Sequence, residues 1–297
     1  MRVRVNGIHL YFDVEGAGLV PDGDRMRQRP TLVLVHGGPG ADHAGYKPAF
    51  SALSDCAQIV YFDNRGDGRS DRGPKDSWTL AQWADDLHGL CEALSIDRPI
   101  VYGASFGGMV AMSYAIRYPN HPGKLILVST SAVGASHAKA KVAMFERLGG
   151  PEAGTLARRR FIDGEAGPEL LEEWLRVAVP LYTQSKADQG LRAREVRNPE
   201  TTAWFNRPQG EARSFDLLAG LASVRCPTLV LGGGLDPMTP IECQRDIAAA
   251  LAPSVLQYRE FPKSGHGVIA DEPARALSLL RQFICSDGTS AAESEAA

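Results

Sequence analysis

Five unbroken apolar runs constrain the fold of this chain more than any other feature. Thr31-Leu32-Val33-Leu34-Val35, Gln58-Ile59-Val60-Tyr61-Phe62, Ile100-Val101-Tyr102, Leu125-Ile126-Leu127-Val128 and Thr228-Leu229-Val230-Leu231 are short, rich in β-branched residues and without apolar/polar alternation. A strand with that pattern is covered on both faces, as in a parallel sheet held between helices. Helical spacing occupies the gaps. Thr79 and Gln82 form a capping box, after which Leu80, Trp83, Leu87, Leu90 and Leu94 recur on one face. Further helices are expected over residues 107–118, 240–251 and 273–284, and a last strand over 255–261. The implied fold class is α/β, a doubly wound, mostly parallel sheet. Ahead of it, Asn6-Gly7 between two alternating stretches predicts a hairpin of residues 2–5 and 8–14. Residues 16–30, rich in Gly, Pro, Asp and Arg, read as a surface loop.

The strand-helix rhythm stops between about residue 131 and residue 212, where Arg158-Arg159-Arg160, an acidic-apolar stretch at 169–175 and Trp204-Phe205 occur without a buried-strand run. The chain therefore divides into a first part of the core (1–130), a helical cap (131–212), a second part of the core (213–285) and a tail (286–297). The tail is small, polar and purely acidic in its charges, and is expected to be disordered. A net charge of −3 creates no field that gathers nucleic acid or an anionic membrane. Five widely spaced cysteines suggest neither a disulfide framework nor a zinc site. With no apolar core after the first residues and no run long enough to span a bilayer, a cytoplasmic protein acting on a small molecule or short peptide is expected. The oligomeric state is not legible.

Chemistry concentrates in Gly103-Ala104-Ser105-Phe106-Gly107-Gly108, which follows one apolar run and opens a helix. Strand, Gly-x-Ser-x-Gly and helix make the sharp turn that exposes a nucleophilic serine. A serine hydroxyl needs a neutral imidazole to take its proton and a carboxylate to hold that imidazole's tautomer. In a doubly wound sheet, all three belong on loops at the carboxyl ends of strands. Asp236, in Gly232-Gly233-Gly234-Leu235-Asp236-Pro237, follows one run, and it also reads as an ordinary Asp-Pro turn. His266, in Ser264-Gly265-His266-Gly267, lies between two glycines with little to pack against. The other histidines suit the role less well: His9 is in the hairpin, His88 on a helix, His121 beside Pro122, His137 in the insertion, and His43 in a loop without an apparent acid partner. The oxyanion formed on attack needs donors. The Phe106 N–H is one, and His36-Gly37-Gly38-Pro39-Gly40 supplies the other, with Gly38 first and Gly37 in reserve. No His, Asp and Glu cluster has metal-ligand spacing, so neither metal nor cofactor is expected.

Together these motifs resemble the α/β-hydrolase superfamily, and most closely its proline iminopeptidase (serine peptidase) group. That group carries a His-Gly-Gly-Pro-Gly oxyanion loop, an Asp-x-x-Gly-x-Gly-x-Ser turn and a Gly-x-Ser-x-Gly-Gly elbow, which here stand at His36 to Gly40, Asp63 to Ser70 and Gly103 to Gly108. The resemblance covers residues 1–130 and 224–285. It implies a Ser105, Asp236 and His266 triad beneath a helical cap, with a serine hydrolase cleaving a small-molecule or peptide acyl bond through an acyl-enzyme. Carboxylesterase or lactonase activity is the alternative, and carbon-carbon hydrolysis, cofactor-free oxygenation or a non-catalytic receptor use the same fold. Iminopeptidases hold a free amine with a carboxylate, often in Glu-x-His-Tyr-Phe, and no such segment occurs here. Glu195, Glu200 and Glu211 are available in its place, and Trp174, Trp204 and Phe205 are candidates to line an apolar pocket under the cap.

Overall fold

The computed structural model describes residues 1–186 and 189–286; of the expected tail, all but Ser286 lies outside the described residues. The strands are β1 (Arg2–Val5), β2 (Ile8–Glu15), β3 (Leu19–Asp22), β4 (Arg25–Gln28), β5 (Thr31–Val35), β6 (Gln58–Phe62), β7 (Ile100–Ala104), β8 (Lys124–Val128), β9 (Thr228–Gly233) and β10 (Leu256–Phe261). Eight of them form one sheet in the order β1-β2-β6-β5-β7-β8-β9-β10. The hairpin runs antiparallel, and β6 through β10 are parallel.

Alternate side chains of each central strand enter opposite layers. Val33, Val35, Val101, Leu125, Leu127 and Val230 meet α1 (Leu80–Ala93), α2 (Phe106–Arg117) and α8 (Ile241–Ala250) through Trp83, Leu87, Val110, Tyr114 and Ile247. Leu32, Leu34, Tyr102, Ile126, Leu229 and Leu231 meet Phe50, Leu53, the short α9 (Val268–Asp271) through Val268, and the helix α10 (Pro273–Cys285) on the other face. Coverage on both sides is why these strands read as unbroken apolar runs. Thr79 Oγ1 accepts the Gln82 N–H at 3.2 Å, but the Gln82 amide donates to Asp86 Oδ1 instead of returning to the cap, so half of the expected box forms.

The segment read as a loop at 16–30 departs from expectation, because β3 and β4 pair there as a separate ribbon. Both strands are solvated on both faces, which leaves no alternation in the sequence to reveal them. Between β8 and β9 lie α3 (Ala138–Phe161), α4 (Pro168–Glu173), α5 (Gln189–Arg194), α6 (Pro199–Asn206) and α7 (Leu218–Leu221). α3 breaks at Gly150, whose φ of 76° precedes Pro151. Val142, Phe145, Leu156, Leu170 and Trp174 form a core of their own in this region. The chain leaves and re-enters the body side by side, with the Gly134 N–H bonded to Phe215 O and the Leu217 N–H to Ala132 O. Among the described residues, no helix is long and apolar enough to cross a membrane.

Candidate active site

The strand register assembles the site. Val35 lies beside Gly103, so the loops leaving β5 and β7 are neighbours; Gly233 lies beside Phe261, which pairs the loops leaving β9 and β10. Both pairs open at the carboxyl ends of the strands, where doubly wound sheets bind ligands.

Ser105 sits between β7 and α2 with φ 54° and ψ −123°, a conformation costly for any residue with a Cβ. Its N–H bonds to Val128 O at 3.0 Å, and its carbonyl accepts from Thr130 Oγ1 at 2.7 Å. The neighbouring glycines are required by close approach. A Cβ on Gly103 would lie 2.3 Å from Gly107 O, and one on Gly107 would lie 2.1 Å from Val35 O. The tight turn and the contact between helix and β5 therefore exclude larger residues.

Asp236 is fully buried and saturated with donors. Oδ1 accepts the N–H groups of Met238 and Thr239 at 2.8 and 2.9 Å; Oδ2 takes Thr239 Oγ1 at 2.7 Å and His266 Nδ1 at 2.8 Å. The turn reading and the acid reading of Asp236 thus coexist in one residue. With Nδ1 donating to the carboxylate, neutral His266 carries its lone pair on Nε2, the form that accepts a proton. The His266 N–H donates to Tyr182 O at 2.6 Å, and the two rings meet edge-on with centroids 5.8 Å apart. Asp271 ties the same loop to the region between β8 and β9, accepting from Gly265 N–H, Gln184 N–H and Ser185 N–H. Thr239 and Tyr182 were not singled out in the sequence. Thr239 carried a signal, standing three residues after an Asp-Pro turn, whereas Tyr182 carried none.

Gly37 lies against the serine: a Cβ there would be 3.6 Å from Ser105 Cβ. His36 is buried, and its Nε2 accepts the Asn64 N–H at 3.0 Å, which leaves Nδ1 protonated to donate to Gly37 O at 2.8 Å. Across a trans peptide the N–H of Gly38 points opposite to the Gly37 carbonyl. His36 thereby fixes the direction of the Gly38 N–H. Phe106 opens α2, so its N–H lacks a partner within the helix.

His43 corrects an expectation, since it has an acid partner: Nδ1 lies 2.6 Å from Asp63 Oδ1, with both side chains buried. Asp63 is remote in sequence, and the pair forms only when β5 and β6 align. Asp42, His43 and Asp63 converge closely enough for a metal, as do His88, Glu92 and His121, which corrects the expectation of no ligand spacing, since His88 and Glu92 stand one turn apart on α1. In the first group the carboxylates already accept from Arg69, Ala44 N–H, Val196 N–H and Arg69 N–H. Of the aromatic candidates, Trp174 is buried among Phe145 and Phe161 and donates to Tyr182 Oη at 2.8 Å. Phe205 packs in the body against Trp83 and Phe106, and the Arg207 guanidinium lies 3.8 Å from the Trp204 ring centre.

Asp67 braces the Gly38 loop from behind. Its Oδ1 accepts the Gly40 N–H at 3.1 Å, Oδ2 has no donor among the described residues, and burial pushes the carboxyl pKa up to about 6. A folded pKa above the unfolded value contributes stability that is full below the unfolded pKa and lost as pH rises through about 6. Asp67→Asn keeps an acceptor for Gly40 and cannot ionise. Its stability relative to wild type is expected to rise between pH about 4 and about 7, by at most about 3 kcal/mol. Urea midpoints of the two proteins across that range check this, and a difference independent of pH would refute it.

The family model for the alpha/beta hydrolase fold matches residues 30–273. Among curated relatives, a proline iminopeptidase of Levilactobacillus brevis is 28% identical over 89% of this chain and 91% of its own. A protein named putative carbamate hydrolase RutD, of Caulobacter sp. strain K31, is 27% identical over 94% of this chain and 96% of its own. The solved structure of proline iminopeptidase from Mycobacterium smegmatis superimposes with a TM-score of 0.78 at 20% identity, covering 96% of this chain and 97% of that one, a likeness of fold. With eight strands in the order above, a glycine-flanked serine elbow and a family match across most of its length, the chain belongs to the alpha/beta hydrolase fold family.

Proposed function

We propose that this protein is a serine hydrolase that cleaves a small-molecule acyl bond through an acyl-enzyme on Ser105. The observation that carries the reading is the strained Ser105 turn beside Gly37, combined with an Asp236–His266 pair of 2.8 Å on neighbouring strand ends. In this mechanism Ser105 Oγ attacks a carbonyl carbon while His266 Nε2 takes its proton. Asp236 steadies the imidazolium, and the N–H groups of Phe106 and Gly38 bind the oxyanion. His266 then passes the proton to the leaving group, and water, activated by the same imidazole, releases the acyl group.

Each carboxylate available for a substrate amine already has a partner, Glu195 and Glu211 in half-buried positions and Glu200 in an exposed pair. Glu195 pairs with Arg197 at 2.6 Å, Glu200 with Lys75 at 3.2 Å, and Glu211 accepts the Leu80 N–H at 2.7 Å. This favours esters, lactones or blocked amides over substrates with a free amine. A fluorophosphonate probe is expected to label Ser105, and aryl esters to be cleaved faster than a prolyl arylamide. Mass spectrometry of the labelled peptide and a comparison of kcat/KM check both. An unlabelled, folded protein would overturn the mechanism, and a preference for the prolyl arylamide would restore the aminopeptidase reading.

A further inference from the structure

Among the described residues, two cations that share the face of the Phe161 ring, one buried and one half-buried, have no anionic partner. Lys141, on the first turn of α3, is 8% exposed, with its Nζ 5.1 Å from the centre of the Phe161 ring. Arg160, half-buried at the far end of the same helix, stands 5.8 Å from that ring and 4.5 Å from the Trp174 ring. Among the described residues, neither side chain makes a hydrogen bond or ion pair. The carboxylate that acts on Lys141 is committed: Asp236 holds His266 and Thr239. Burial raises the Cys243 thiol pKa, so that thiol supplies no counter-charge near neutrality.

The position of the pair matters as much as its charge. Trp174, beneath Arg160, donates to Tyr182 Oη, and the Tyr182 ring meets the ring of His266. Two aromatic rings, Trp174 and Tyr182, therefore link Arg160 to the proposed general base. Burial lowers the Lys141 pKa, and the like charge of Arg160 adds to this, while Asp236 acts the other way. Contacts with ring faces offset only part of the cost of enclosing like charges. A bound anion would remove the rest.

We propose that Lys141 and Arg160 form an anion subsite under the cap, and that the substrate hydrolysed at Ser105 carries a carboxylate that docks there. This rests on the Ser105 reading above and narrows it to acidic esters or amides. The same charges repel a substrate's free ammonium group, consistent with the committed carboxylates of the cap.

The test compares mono-para-nitrophenyl adipate with its methyl ester, which has the same length and no charge. Wild type is expected to favour the acid in kcat/KM by at least about tenfold. Lys141→Met is expected to lose that preference while hydrolysing the neutral ester within about twofold of wild type, and Lys141→Arg to keep most of it. Equal rates on the two esters in wild type, or equal loss on both in Lys141→Met, would overturn the subsite and leave the serine mechanism standing. Calorimetry of monomethyl adipate on Ser105→Ala separates the other case. Binding that Lys141→Met abolishes, in a wild type that hydrolyses neither ester, would uphold the subsite and overturn the mechanism; absence of binding would count against the subsite.

Discussion

Ser105→Ala is expected to lower kcat/KM on the best aryl ester about a millionfold and to leave the fold intact. The magnitude follows from residues that act as a unit, where loss of the nucleophile alone removes nearly all the catalysis the group supplies. The elbow depends on backbone groups and glycines, not on the serine hydroxyl. Ser105 N–H still reaches Val128 O, and Thr130 Oγ1 still reaches the carbonyl of residue 105. Alanine inherits the same φ of 54°, so the strain is unchanged. The melting temperature should stay within about 2 °C of wild type, the shift that about 1 kcal/mol produces in a domain of this size. Rates and melting curves from one preparation decide it. A variant that keeps its fold and a tenth of its activity would remove Ser105 from the mechanism.

The central sheet was legible because its strands are buried on both faces and therefore spell continuous apolar runs. The elbow was legible for a related reason, since Gly103 and Gly107 report backbone contacts that no other residue permits. Features built from remote residues were not legible. His43 and Asp63 are separated by twenty positions and meet only when β5 and β6 align. The β3–β4 ribbon is solvated on both faces and leaves no periodic trace. Lys141 drew no attention and Arg160 stood out only as part of an arginine run, because burial of a cation has no signature in its neighbours along the chain. Phe205 shows the converse: its aromatic character suggested a pocket, and the fold packs it beside Phe106, under the same turn that carries Ser105. The catalytic candidates thus rest on local backbone demands, whereas the proposed anion subsite depends on how residues far apart in the region between β8 and β9 pack together.

Asp236→Asn is expected to reduce kcat by about 10⁴-fold with little change in stability. Two orientations are open to the new amide. If its NH2 took the place of Oδ1, it would face the N–H groups of Met238 and Thr239, leaving donors opposed to donors in a buried site. The favoured orientation keeps the carbonyl there and places NH2 at the position of Oδ2, where it donates to His266 Nδ1. Thr239 Oγ1 can rotate to accept the other amide hydrogen, so the turn survives. The imidazole proton is then driven to Nε2, the nitrogen that must be free to accept from Ser105. The base is present in the wrong tautomer and lacks the carboxylate that steadies its imidazolium. Nitrogen-resolved NMR of His266 would report the tautomer directly, alongside kcat. A variant with the Nε2-protonated ring and undiminished kcat would show that proton transfer to His266 is not part of the rate-limiting chemistry.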